Sequence, residues 1–127
     1  MKLAFIKNIN AYNEHAVRLS NFSSAQAILF RETVNGLIAN KSTPADITTQ
    51  PYIETASCRL ILSVSDEDLG ISTSDNRSFL CELTIAGYQN MVKLLAPFCN
   101  KELVSFQMLY DLDNPIELMF SSGGKWE

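Results

Sequence analysis

Strand-like alternation and helix-like spacing follow one another along this chain in short blocks. LAFIK at 3–7 reads as a first strand, and AYNEHAVRLS at 11–20 sets Tyr12, Ala16 and Leu19 on one helical face, with His15 and Arg18 on another. The stretch SAQAILFRETVNGLIANKS supports two readings. Ala25, Ile28 and Leu29 could open a helix, and Ile28 and Phe30 could open a strand. Continuing the helix would place Glu32 and Gly36 on the apolar stripe, where glycine costs about 1 kcal/mol against alanine. Asn35-Gly36 between apolar runs is a strong hairpin signal, so the pattern predicts two strands, 25–31 and 37–40, turning at that dipeptide. The segment 42–55 has two prolines and little periodicity and reads as a loop. SCRLILSVS then alternates Cys58, Leu60, Leu62 and Val64 against Arg59, Ile61 and Ser63, the pattern of a sheet with one face on the core.

A brief strand is expected in LGIST between the acidic turns at 66–68 and 75–76, and another where Phe79, Cys81, Leu83 and Ile85 alternate with Leu80, Glu82 and Thr84. A helical stripe of Tyr88, Met91, Val92 and Leu95 follows, stopped by Pro97. LVSFQMLY and IELMFS, separated by a Asp113-Asn114-Pro115 turn, read as a closing hairpin in which Val104, Phe106, Met108 and Tyr110 face Ile116, Leu118 and Phe120. The expected order is β-α-β-β-β-β-α-β-β: an α+β fold of strand-rich sheets with two short helices on one face. Residues 121–127 read as a frayed tail.

With 127 residues, 46% of them hydrophobic, the chain suits a single domain over 1–127 with one core. Ten Lys and Arg against 14 Asp and Glu leave a formal charge of −4, so any surface that attracts a polyanion must be local. Cys58, Cys81 and Cys99 form no CxxC pair and His15 is the single histidine, which argues against a zinc site or a disulfide framework and for buried free thiols. No signal peptide or membrane span is legible, and an intracellular protein is expected. His15 on a helix has no placed nucleophile or orienting group, the acids at 66–68 and 111–113 sit where turns want Asp, and no nucleotide fingerprint appears. The expectation is a non-enzymatic protein without metal or cofactor.

Charge placement is the one feature that calls for a reason. No acid lies between Glu82 and Glu102, so the second helix presents Gln89, Asn90 and Lys93 without a carboxylate. Helix outer faces are ordinarily polar, which suffices as an explanation. The functional alternative is a surface facing phosphate, with Lys, Arg and amide side chains following a nucleic-acid backbone.

MKLAFIKN followed by NEHAVRLSNFSSAQAILFRETVNGLIANKS resembles the strand, helix and hairpin that open a domain of the sliding DNA clamps, the family of proliferating cell nuclear antigen and the DNA-damage checkpoint clamp. ELTIAGYQNMVKLLAPF with VSFQMLYDLDNPIELMF is similar to the closing half of such a domain. The resemblance implies a clamp-like assembly domain in DNA replication or repair, its helices facing duplex DNA through Asn13, His15, Arg18, Gln89, Asn90 and Lys93. It also implies association with further copies or clamp-like subunits through sheet edges, the strand of Arg59 and Ile61 pairing with a neighbour's strand of Glu117 and Met119. Duplex DNA would be contacted in the assembled form, and the location would be nuclear for a eukaryotic clamp component and otherwise cytoplasmic. The alternative is a small intracellular interaction module, such as an immunity protein, inhibitor or chaperone, that binds one protein partner.

Overall fold

A computed structural model describes residues 1–9, 11, 14–55 and 58–122. Nine strands and two helices form an α+β fold, with β1 (Lys2–Ile6), β2 (His15–Ser20), α1 (Ser24–Ala39), β3 (Ala45–Asp46), β4 (Glu54–Thr55), β5 (Arg59–Val64), β6 (Gly70–Thr73), β7 (Ser78–Leu83), α2 (Ile85–Asn100), β8 (Phe106–Met108) and β9 (Ile116–Ser121). One sheet has the order β4-β1-β2-β9-β8 and the other β3-β5-β7-β6. The element order differs from the expected one in its first half, where two segments exchange character.

The segment expected to be the first helix is the strand β2, antiparallel to β1 and parallel to β9. Its residues Val17 and Leu19 enter the core, while Ala16, Arg18 and Ser20 are buried on the opposite face, so the whole strand is inside and shows no two-period polarity. The segment expected to be a hairpin is the continuous helix α1. Its buried stripe is Ala27, Phe30, Val34 and Leu37, which leaves Gly36 on the solvent side, where it breaks no packing. Ser23 starts this helix with a capping box: its hydroxyl accepts from Gln26 N at 3.2 Å, and Gln26 Oε1 accepts from Ser23 N at 3.2 Å.

Three smaller expectations also change. The loop 42–55 carries β3, a 3₁₀ turn at Ile47–Thr49 and β4. Pro97 lies within α2 instead of ending it, because the turn that follows buries Phe98 and Cys99, and Phe98 stands edge-on to Phe120 at 5.1 Å. Ser121 belongs to β9 and Ser122 Oγ donates to Leu103 O, so the ordered chain extends into the expected tail, whose residues 123–127 lie outside the described ones. β8 and β9 do pair antiparallel, but Met108 stands opposite Met119 and Phe106 opposite Ser121, which leaves Val104 78% exposed. A slip of one residue turns every side chain to the other face, and alternation cannot tell the two settings apart.

Eight of the nine strands form two interlocked halves, β4 lying outside the repeat beside β1. β1, β2, α1, β3 and β5 repeat as β6, β7, α2, β8 and β9: in each sheet the antiparallel pair that opens one half lies parallel to the last strand of the other. Both helices pack on each other, and one contiguous core runs through both sheets. Phe120 of β9 meets Phe30 of α1 and Phe22, while Phe5 of β1 touches Phe79 of β7 across the sheets at 4.7 Å. Cys58, Cys81 and Cys99 are free and buried, and burial pushes the Cys58 thiol up to about 11 and that of Cys81 to about 12.

Candidate interaction site

Of the six residues expected to face DNA, the structure brings three together. Gln89, Asn90 and Lys93 are exposed on α2. Arg18 is on β2 and only 1% exposed, so its guanidinium is not available to a surface ligand. His15 opens β2, where its Nδ1 accepts from Asn8 N at 3.0 Å and its ring meets Phe5 edge-on at 5.7 Å. Asn13 lies outside the described residues. The expected edge strands are not edges. β5 runs between β3 and β7, and β9 between β2 and β8, because a parallel partner from the other half occupies the side that a neighbour would need. Within them Met119 is buried at 4% exposure, and Arg59 donates to Asp46 Oδ2 at 2.7 Å.

Glu117, singled out as an edge residue, opens instead onto a groove between α2 and the connection from β8 to β9. Two adjoining cavities of about 270 Å³ and 460 Å³ form it, and Asn90, Tyr110 and Asp111 line both. Asp68, Ala86, Gly87 and Leu112 are among the other residues of the first, and Ile9, Leu94, Gln107 and Glu117 among those of the second. Its walls are held firmly. Asn114 Nδ2 donates to Leu69 O at 2.9 Å, Asn114 Oδ1 accepts from Ile116 N at 2.8 Å, and the Tyr110 hydroxyl accepts from Ile71 N at 3.2 Å and donates to Ile116 O. These bonds tie the β8–β9 connection to β6 of the other sheet. On the opposite wall, Asp68 Oδ1 accepts from Thr84 N at 2.8 Å and Thr84 Oγ1 at 2.9 Å at the start of α2. A Cβ on Gly87 would come within 2.7 Å of that oxygen, so the approach requires glycine.

The groove is acidic and uncompensated. Among the described residues, no Lys, Arg or His lines either cavity. Asp111 and Glu117 have no donor or cation among the described residues, and burial, followed by repulsion from Glu14 and Asp111, holds the Glu117 carboxyl above the usual carboxylate range. No sequence motif marks this site. Asp111 was legible as a turn residue and Glu117 as a strand residue, but only the crossing of the two halves sets both beside α2. Among the described residues, no helix is long and apolar enough to cross a membrane, and no group of three or more His, Cys, Asp or Glu is placed to hold a metal ion. Comparison with known proteins returns no matching family model, no matching curated protein and no matching solved structure.

Proposed function

We propose that this chain is a non-enzymatic, intracellular protein-interaction domain whose partner presents cationic groups to the groove between α2 and the β8–β9 connection. One observation carries the reading: Asp111 and Glu117 open onto the same groove with no donor or cation among the described residues to answer them. Glu117 is half-buried beside the exposed Asp111, and a carboxylate so placed without a cation is where a partner's charge gains most. The reading of a clamp-like domain facing duplex DNA draws on a different observation, that α2 carries no acid and shows Gln89, Asn90 and Lys93 to solvent beside α1. It is the weaker of the two, since Arg18 is buried and Asn90 also borders the acidic groove.

Amide chemical-shift mapping at low salt separates them. A 20-residue oligo-lysine is expected to move the resonances of Asp111, Glu117 and Asn90, with the effect fading as salt screens the charges. A short duplex DNA is expected to move nothing there. Shifts induced by the duplex at Gln89 and Lys93, with none from oligo-lysine in the groove, would reverse the choice.

A further inference from the structure

We infer that residues 123–127, Gly-Gly-Lys-Trp-Glu, fold back over the outer face of the sheet β4-β1-β2-β9-β8 and cover it, with Trp126 on Met119 and Glu127 at Arg18. That face has the burial of an interior. Ala4, Arg18 and Met119 stand in one row across it and Lys2, Ser20 and Ser121 in the next, and all of them except Lys2 are buried. The outer face of the second sheet, which has the same crossed topology, is open: Arg59, Ser72 and Leu80 are exposed there. The helices do not account for the difference, because both pack on the inner face, where Phe30 and Phe98 meet Phe120. The Ser20 hydroxyl is an independent sign of a further neighbour. It is fully buried and has no hydrogen-bond partner among the described residues, a state that costs free energy until a polar group answers it.

The chain's own geometry selects the occupant. Of the residues outside the described ones, 10, 12 and 13 join the far ends of β1 and β2, and 56 and 57 join β4 to β5, whereas 123–127 follow directly on β9. Ser122 is tied to Ser105 O at 3.0 Å, so a reversal starts at Gly123-Gly124, a dipeptide suited to a tight turn. The returning chain cannot pair with β9, which already has β2 on one side and β8 on the other. It must cross a face, and Phe22 and Phe98 occupy the inner one against Phe120. Two residues of strand span about 7 Å, so three residues beyond the turn reach from Ser121 back to Met119. The chemistry matches as well. Trp126 brings a large ring to Met119, whose thioether packs well against aromatics, and Glu127 brings a carboxylate to a guanidinium that is only 1% exposed.

Trp126 is the single tryptophan, so fluorescence of the full chain reads the tail directly. The expected result is a native emission blue-shifted from that of the urea-unfolded chain and resistant to acrylamide, together with a nuclear Overhauser effect between the Trp126 indole and the Met119 methyl group. Trp126→Ala should then let hydrogen peroxide oxidise Met119 at least tenfold faster, read by mass spectrometry, with the circular dichroism of the fold unchanged. Emission and quenching equal to those of the unfolded chain overturn the proposal, as does a Met119 oxidation rate indifferent to Trp126→Ala. Indole contacts with residues of another face overturn it too, and contacts that vanish on dilution would assign the cover to a second copy of the chain instead.

Discussion

Replacing Gly36 with alanine gives opposite signs for a helix and a hairpin at the same residue. In α1 Gly36 has no positive φ, sits on the exposed side, and a Cβ placed on it meets nothing within 4 Å. Packing therefore contributes nothing, and what remains is the backbone: alanine is favoured over glycine in a helix interior by about 0.5–1 kcal/mol. Had Asn35-Gly36 formed a tight hairpin turn, the glycine would hold a left-handed conformation, and alanine would lose roughly 1–2 kcal/mol. The two cases differ by about 2 kcal/mol, well beyond experimental scatter. Urea unfolding followed by circular dichroism measures it. At a slope of about 2 kcal/mol per molar, Gly36→Ala should raise the midpoint by about 0.25–0.5 M without changing the slope. A lower midpoint would refute the helix at this position and with it the assignment of Ala27, Phe30, Val34 and Leu37 to one buried stripe.

Tyr88→Phe keeps the buried ring but removes a hydroxyl that accepts from Ser63 N at 3.1 Å and faces Ser63 O at 2.8 Å and Cys81 O at 3.0 Å; it should cost about 1–3 kcal/mol in calorimetry and speed amide exchange at Ser63. Ser23→Ala removes the hydroxyl half of the α1 capping box and should cost about 1 kcal/mol in the same urea assay. Glu117 has its folded-state pKa raised, first by burial and then by Glu14 and Asp111, so its protonated form favours the fold and that contribution is lost as pH rises above its ordinary 4.5. Glu117→Gln should accordingly raise the melting temperature at pH 7, with the gain vanishing at pH 4 and below; a gain that grows on acidification would contradict this sign.

The strands that were legible are those with one wet face. Cys58, Leu60 and Leu62, then Phe79, Cys81 and Leu83, point to the core as their alternation indicates. β2 was illegible because burial on both faces erases the two-period, and the spacing left over imitates a helix. α1 failed for a nearer reason: the stripe read through Ala25 and Ile28 is two positions away from the true stripe through Ala27 and Phe30, and the Asn-Gly pair drew the reading toward a turn. Ser23-x-x-Gln26 was the local signal that could have corrected it. The groove was beyond sequence reasoning altogether. Its two walls belong to elements that pair only once β9 has crossed into the first half's sheet, and periodicity carries no information about which strand becomes the neighbour of which.

The two halves also explain why the acids of this groove stand uncompensated. Arg59 is the first residue of β5 and Ile116 the first of β9, and each lies opposite the first residue of its parallel partner, Ser78 and His15. In the first half, Arg59 reaches Asp46, on the neighbouring strand β3, and closes an ion pair at 2.7 Å. Burial alone would raise the Asp46 carboxyl, but the hydrogen bond and charge of Arg59 outweigh it and hold the group below its usual range. In the second half the strand opens with Ile116, whose side chain is buried in the core on the face of β9 opposite Glu117, so it brings no charge to Asp111 and Glu117, and Glu117 shifts upward instead. Asn90→Lys, at an exposed position of α2 that lines both cavities, would supply a cation of the chain's own to the groove. If a missing internal cation is what opens the groove to a partner, this substitution should return Glu117 toward its ordinary pKa and weaken the binding of cationic peptides together. A variant that does the first without the second would separate the electrostatics of the groove from its function.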